Sequence, residues 1–239
     1  MKLFIAEKPS MARELAKCLP QPQRQEKGFI RTGGGIVTWA YGHMLQQAEP
    51  QDYNRQYKQW KDADLPIIPE HWKLLVSPNS REQFDVICRL IGDADSIVHA
   101  GDPDREGQLL IDEILDYVGN TKRVERILLN ALDEKSIGEA LHDLRDNGDF
   151  SHLKESALAR SRADWLIGMN ATRAYTIRYG VLLSIGRVQT PTLSMIVKRR
   201  KEIDAFVPKL FYTVRADFGD YQGVYIDKKG ERKLETEEA

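Results

Sequence analysis

Asp102, Asp104 and Glu106 fall at alternate positions of the stretch Gly-Asp-Pro-Asp-Arg-Glu-Gly-Gln, residues 101–108. In an extended segment or tight turn this spacing sends all three carboxylates to one side. Three like charges that close repel one another and are costly to desolvate, and a divalent cation is the usual way to hold them together. Oxygen ligands without a Cys or His cluster favour Mg2+, with Mn2+ as the alternative, over Zn2+. A solvated acidic turn would carry the same spacing. The motif follows Ser96-Ile97-Val98-His99-Ala100, a buried-strand pattern, and precedes a helix-like run from Leu109 to Leu115. The carboxyl end of a strand meeting a helix start is where open α/β sheets place ligands.

Glu7 and Lys8 follow another short apolar strand, Lys2 to Ala6. If that strand lies beside residues 97–100, Glu7 faces the acidic trio as a fourth carboxylate, for metal binding or proton transfer. Lys8 then offers a cation to a phosphate oxygen. The plainer reading of Glu7 is a helix-start carboxylate favoured by the macrodipole.

These residues need a scaffold, and the pattern around them supplies one. Ser10 reads as an N-cap for a helix from Met11 to Leu19. Residues 28–41 read as a hairpin turning at Gly33-Gly34-Gly35. Residues 46–80 hold several prolines and read as an irregular excursion. A helix is expected over 81–91, a strand over 124–129 and a helix over 135–144. This βα alternation predicts an α/β fold with a mostly parallel sheet flanked by helices. After residue 150 the character changes to one long helix or two over 153–178, a break over 180–189 and a further helix over 191–203. Residues 211–218 then alternate like a strand, and a charged tail follows. The expected domains are 1–150, a helical 151–210, and 211–239 as the start of a truncated domain or a disordered tail.

Among 239 residues the formal net charge is only −1, but it is unevenly placed. Residues 1–150 hold 19 Lys/Arg against 25 Asp/Glu, whereas residues 151–215 hold 12 against 4. An acidic, metal-suited part joined to a basic part points to a phosphate-bearing polymer as partner, although a solvated basic face gives the same count. No apolar run approaches the roughly 20 residues of a membrane span. Cys18 and Cys88 form neither a disulfide framework nor a metal motif, which fits a reducing cytoplasm.

Three segments in fixed order, Ala6-Glu7-Lys8-Pro9-Ser10, Gly101 to Gly107 and Ser184-Ile185-Gly186-Arg187-Val188-Gln189-Thr190-Pro191, resemble those of type IA DNA topoisomerases. The first two resemble the Toprim domain of that family. The variant Asp-Pro-Asp-Arg-Glu-Gly-Gln, with residues 156–160 and 162–166, is similar to bacterial topoisomerase III. The resemblance covers residues 1–216. It implies that Glu7, Asp102 and Asp104 are metal-linked carboxylates, with Glu106 completing the motif. It implies that Lys8 stabilises the scissile phosphate, and that Arg126 lies near the active site; an edge-strand surface charge is the alternative for Arg126. Residues 184–189 would lie along single-stranded DNA, with Gly186 admitting close backbone approach and Arg187 pairing with phosphate. Trp60, Trp165 and Arg173 match DNA-contacting positions, and Arg160 and Arg162 are basic-helix candidates. Trp165 fits a core position equally well. His43 falls in a family-like segment but receives no role.

Family members cleave one DNA strand by tyrosine attack, pass another strand and reseal the break without ATP. Their tyrosine lies in a segment resembling Thr-Tyr-Pro-Arg-Thr, and none of the nine tyrosines here has that context. The expectation is therefore an N-terminal part of a longer topoisomerase, inactive alone, monomeric, and partnered by single-stranded DNA and the remaining domains. A non-catalytic metal- and DNA-binding module and another Toprim enzyme, a primase or nuclease, are the competing readings. A Rossmann-type site is the weakest, because Gly33-Gly34-Gly35 sits in a hairpin and lacks Gly-x-Gly-x-x-Gly.

Overall fold

A computed structural model describes residues 1–235; residues 236–239, the end of the expected tail, lie outside the described residues. The elements in chain order are β1 (Lys2–Ala6), α1 (Pro9–Lys17), β2 (Arg24–Glu26), β3 (Phe29–Thr32), β4 (Gly35–Trp39), β5 (Leu45–Gln47), α2 (Pro50–Tyr53), β6 (Leu74–Val76), α3 (Arg81–Asp93), β7 (Ser96–Ala100), α4 (Arg105–Tyr117), β8 (Val124–Arg126), α5 (Glu134–His142), β9 (Arg145–Asp146), α6 (Ser151–Tyr179), α7 (Gln189–Asp204), β10 (Arg215–Asp217) and β11 (Gln222–Val224).

Seven strands form one sheet in the order β2-β3-β4-β1-β7-β8-β9. Its centre, β4-β1-β7-β8, is parallel, and the strands outside it pair antiparallel. The central strands are apolar on both faces because both faces are covered. Along β1, Leu3 and Ile5 join one core cluster while Phe4 and Ala6 join the other. The first cluster packs against α3 and α4 through Phe84, Ile87, Leu90, Leu110, Ile111 and Ile114. The second packs against α1 and α5 through Met11, Ala12, Leu15, Ala16 and Ile137. The predicted mostly parallel, helix-flanked sheet is thus observed.

Local differences have local causes. Helix α1 starts at Pro9 with Lys8, not Ser10, as the extended N-cap. Proline at the first helical position removes one otherwise unpartnered N–H and has its φ preset, which fixes the helix start at Pro9 without a side-chain cap. The strand expected over 124–129 stops at Arg126, and the one over 211–218 contracts to Arg215–Asp217. The excursion over 46–80 contains a short β5–β6 pair. The long helix after residue 150 is a single element of 29 residues, closed by Gly180 at φ +70°; that left-handed C-cap conformation favours glycine.

The chain forms two compact units, residues 1–187 and 188–239. Helix α6 belongs to the first, where it packs along α4. The second contains α7, whose Leu193, Met195 and Ile196 are exposed, and the antiparallel β10–β11 pair. No helix among the described residues is long and apolar enough to cross a membrane.

Candidate metal and DNA site

Strands β1 and β7 run side by side and in parallel, with Ala6 opposite Ala100. Their carboxyl ends are therefore level, and Glu7 and Gly101 leave the sheet at the same edge. The Glu7 amide donates to the Ala100 carbonyl at 3.3 Å. In return the Asp102 amide donates to Glu7 Oε2 at 2.9 Å. Lys8 Nζ donates to Asp102 Oδ2 at 3.1 Å. This hydrogen bond, reinforced by the charges of Asp102, Glu7 and Asp104, raises the Lys8 pKa above its ordinary value. The juxtaposition expected from sequence is present.

The acidic trio does not stay on one side. Asp104 is the N-cap of α4, its Oδ1 accepting from the Gly107 amide at 2.7 Å. Helical geometry then begins, and a residue in the first turn no longer alternates as in a strand. Glu106 turns toward α6, where its Oε1 accepts from Arg160 at 2.8 Å. The oxygen-only donor set suits a hard cation such as Mg2+. Among the described residues, however, no three His, Cys, Asp or Glu side chains already converge as a metal-holding group. Glu7, Asp102 and Asp104 are gathered at one edge, each engaged with an amide or a cation.

Behind this edge lies a buried polar network that sequence reading did not assign. Arg126 is completely buried, which corrects the edge-strand alternative: β9 lies outside β8, so β8 is not an edge. Its guanidinium donates to the carbonyls of His99 (3.2 Å), Gly101 (2.9 Å), Ile127 (2.6 Å) and Asp102 (2.7 Å). Nε donates to Gln108 Oε1 at 2.8 Å. Burial lowers its pKa to about 10, so it stays a cation at neutral pH. With these donors bound to the loop itself, Arg126 positions Asp102. Gln108 extends the network to Asp112 at 2.8 Å and Asn147 at 2.9 Å. The sequence signal for it was polar residues inside otherwise apolar runs, His99 in β7 and Gln108 in α4.

The Gly101 amide donates to His99 Nδ1 at 3.2 Å, so Nε2 carries the proton and donates to the Gln108 carbonyl at 3.0 Å. Burial first, and the Arg126 cation second, push the His99 pKa down to about 3. The ring is neutral, and its 3.9 Å approach to Asp112 is not an ion pair. As pH falls below the ordinary value of 6.5, the unfolded chain takes up a proton that the folded chain refuses. Stability present above pH 6.5 is thus lost below it, by about 2 kcal/mol at pH 5. Urea midpoints of the parent and His99→Asn at pH 7 and pH 5 check this. The variant is expected to start lower and fall less, and an equally steep fall would refute the assignment.

His43 lines a cavity with Glu106 and Glu113 of α4, its Nδ1 3.0 Å from Glu113 Oε1. The bond to Glu113 raises the His43 pKa, while burial raises that of Glu113.

The DNA-contact candidates separate by exposure. Trp165 is 7% exposed; its indole donates to the Ala48 carbonyl at 3.0 Å and its rings meet Tyr53 and Trp72 edge-on. That placement favours packing over base stacking. Arg173 is 4% exposed and donates to the Tyr57 carbonyl at 2.8 Å, fastening the excursion to α6. Trp60, stacked on the Arg173 guanidinium at 5.0 Å, remains 41% exposed. Arg162 lies over Trp72 at 5.3 Å. Ser184 to Arg187 end the first unit, with the Ile185 amide donating to Thr172 Oγ1 at 2.9 Å. Arg187 forms a two-pronged pair with Asp164, at 2.7 and 3.1 Å. Val188 and Gln189 open the second unit.

Residues 2–132 match the Toprim domain family, and residues 149–239 match the family described as DNA topoisomerase. The chain belongs to the type IA DNA topoisomerases. It is 51% identical over 225 residues to DNA topoisomerase 3 of Vibrio cholerae, covering 90% of this chain and 35% of that relative. DNA topoisomerase 3 of Staphylococcus epidermidis is 42% identical over 235 residues, 95% of this chain and 33% of its own. The chain thus spans about a third of the curated topoisomerases it matches. Full-length topoisomerase I from Thermotoga maritima shares the fold, with a TM-score of 0.66 at 22% identity, over 99% of this chain and 36% of that one. The two family matches meet between residues 132 and 149, whereas the compact units of this topoisomerase chain divide after Arg187.

Proposed function

We propose that this chain supplies the Mg2+- and single-strand-binding part of a type IA topoisomerase, in the cytoplasm. The observation that carries the proposal is the parallel β1–β7 pairing, which brings Glu7 and Lys8 to the edge where Asp102 and Asp104 emerge. Glu7, Asp102 and Asp104, with Glu106, would hold the ion, which when bound supplies positive charge against the carboxylates and the DNA phosphate. Lys8 donates to a phosphate oxygen and stabilises charge on the leaving oxygen. The N-termini of α1 and α4 open at this edge and add positive potential. Arg160 and Arg187 bind flanking phosphates, and Trp60 offers a ring for an unpaired base. In the whole protein a tyrosine outside this chain attacks phosphorus; the phosphodiester breaks, leaving a 5′-phosphotyrosine and a free 3′-hydroxyl, and the reverse reaction reseals the strand after another has passed.

Fluorescence anisotropy of a labelled oligo-dT over a KCl series tests the binding half. Three phosphate contacts from Lys8, Arg160 and Arg187 predict a log–log salt slope of roughly −2, and Arg187→Ala should flatten it by about 0.7. Salt-independent binding, or none, would overturn the reading. Plasmid relaxation by this chain alone is expected to be absent; its presence would place a nucleophile inside residues 1–239.

A further inference from the structure

The cations assigned to phosphate are all paired with carboxylates at the same edge of the first unit. Lys8 holds Asp102 at 3.1 Å, Arg160 holds Glu106 at 2.8 Å, and Arg187 holds Asp164 at 2.7 Å. Arg105 approaches Glu106 at 3.7 Å and Arg160 approaches Asp164 at 3.9 Å. Two of the carboxylates so engaged, Asp102 and Glu106, are candidate metal ligands; the third, Asp164, is not.

We propose that these pairs form an exchange latch that couples phosphate binding to Mg2+ binding, the carboxylates occupying the cations until DNA phosphates replace them. This rests on the preceding reading of the site. The pairs suit such a role because they are strong enough to form and weak enough to leave. Each is between a third and a half exposed on both sides, where an ion pair is worth about 0–1 kcal/mol. A phosphate that draws Lys8 and Arg160 away uncovers Asp102 and Glu106. Each carboxylate then stands as an uncompensated negative charge near the bound phosphate until a divalent cation neutralises it. Conversely, a cation bound to the carboxylates releases Lys8 and Arg160 for phosphate. Each ligand therefore removes the competitor of the other, and the coupling must be reciprocal. The Arg187–Asp164 pair yields to phosphate in the same way but uncovers no metal ligand.

Titration calorimetry with MgCl2, with and without saturating oligo-dT at matched ionic strength, reads the coupling directly. Oligo-dT is expected to tighten Mg2+ binding by roughly fivefold or more, with Mg2+ tightening oligo-dT equally. In EDTA, Glu106→Gln should bind oligo-dT roughly fivefold tighter by freeing Arg160, and its coupling should shrink. Glu155→Gln removes the same charge from exposed α6 surface without freeing a cation, and should change affinity less. Asp164→Asn should tighten DNA binding in EDTA yet keep the coupling to Mg2+. If both ligands bind with no mutual effect, or if Glu106→Gln matches Glu155→Gln, the latch is refuted while the site stands. If either ligand fails to bind, both fall.

Discussion

Replacing Arg126 by methionine is expected to lower unfolding free energy by about 3–5 kcal/mol, because several buried neutral acceptors lose their donor at once. Methionine keeps much of the volume, so loss of packing contributes little. What it removes is the donor set that serves the carbonyls of His99, Gly101, Asp102 and Ile127 and the side chain of Gln108. Each buried acceptor left without a donor costs about 1–3 kcal/mol, partly recovered by relaxation or entering water. The loop between β7 and α4 should relax first, since three of those carbonyls lie on residues 99–102. Urea denaturation reads the stability, and proteolysis near Asp102 reads the loop. Arg126→Lys separates charge from geometry: one ammonium cannot reach five acceptors, so it should recover only part of the loss. A methionine variant within about 1 kcal/mol of the parent, an ordinary surface effect, would show that the loop holds itself.

Gly107→Ala is the second large effect, and it comes from a single methyl group. A Cβ at Gly107 would lie 2.5 Å from the Asp102 carbonyl oxygen, 2.6 Å from the Asp102 nitrogen and 2.8 Å from Glu7 Oε2. Two of these neighbours are backbone, so the methyl cannot be accommodated by a rotamer change. Overpacking of this kind costs about 1–3 kcal/mol. It should also separate Glu7 from the Asp102 amide and weaken Mg2+ binding. Gly138→Ala in α5 is the control, because its Cβ meets nothing within 4 Å. A mid-helix glycine-to-alanine change there should instead stabilise by about 0.5–1 kcal/mol. If both alanines behave alike in thermal melts and Mg2+ titration, the tight approach of α4 to the acidic loop has no energetic weight.

The sheet was legible because burial on both faces forces continuous apolar runs, and residues 2–6 and 96–100 show them. Both acidic segments were placed at strand ends, but the pairing of those runs stood only as a condition, and the parallel β1–β7 register supplies it. Other features depended on competition that residue types do not display. Glu106 left the side of Asp102 because Asp104 was taken as a helix cap. Arg126 could not be read as buried because its acceptors are carbonyls, which every residue possesses. Trp165 offered a ring suited to a base or to a core, and only the neighbouring Tyr53, Trp72 and Ala48 decide between them. The division after Arg187 was equally hidden, since the composition changes near residue 150, where α6 begins, yet α6 packs along α4 as part of the first unit.

The place of β1 in the middle of the sheet also governs when the site comes into being. Its partners begin at Gly35 on one side and Ser96 on the other, so β1 completes its pairing only with a strand some ninety residues further along the chain. Glu7 and Lys8 therefore meet the acidic loop through contacts that join residues 95 and 94 positions apart. Such contacts pay their loop-closure entropy before they return any stability. Until β7 docks beside β1, Glu7 and Lys8 lack the Asp102 partners that the folded edge gives them, so the binding edge depends on that docking.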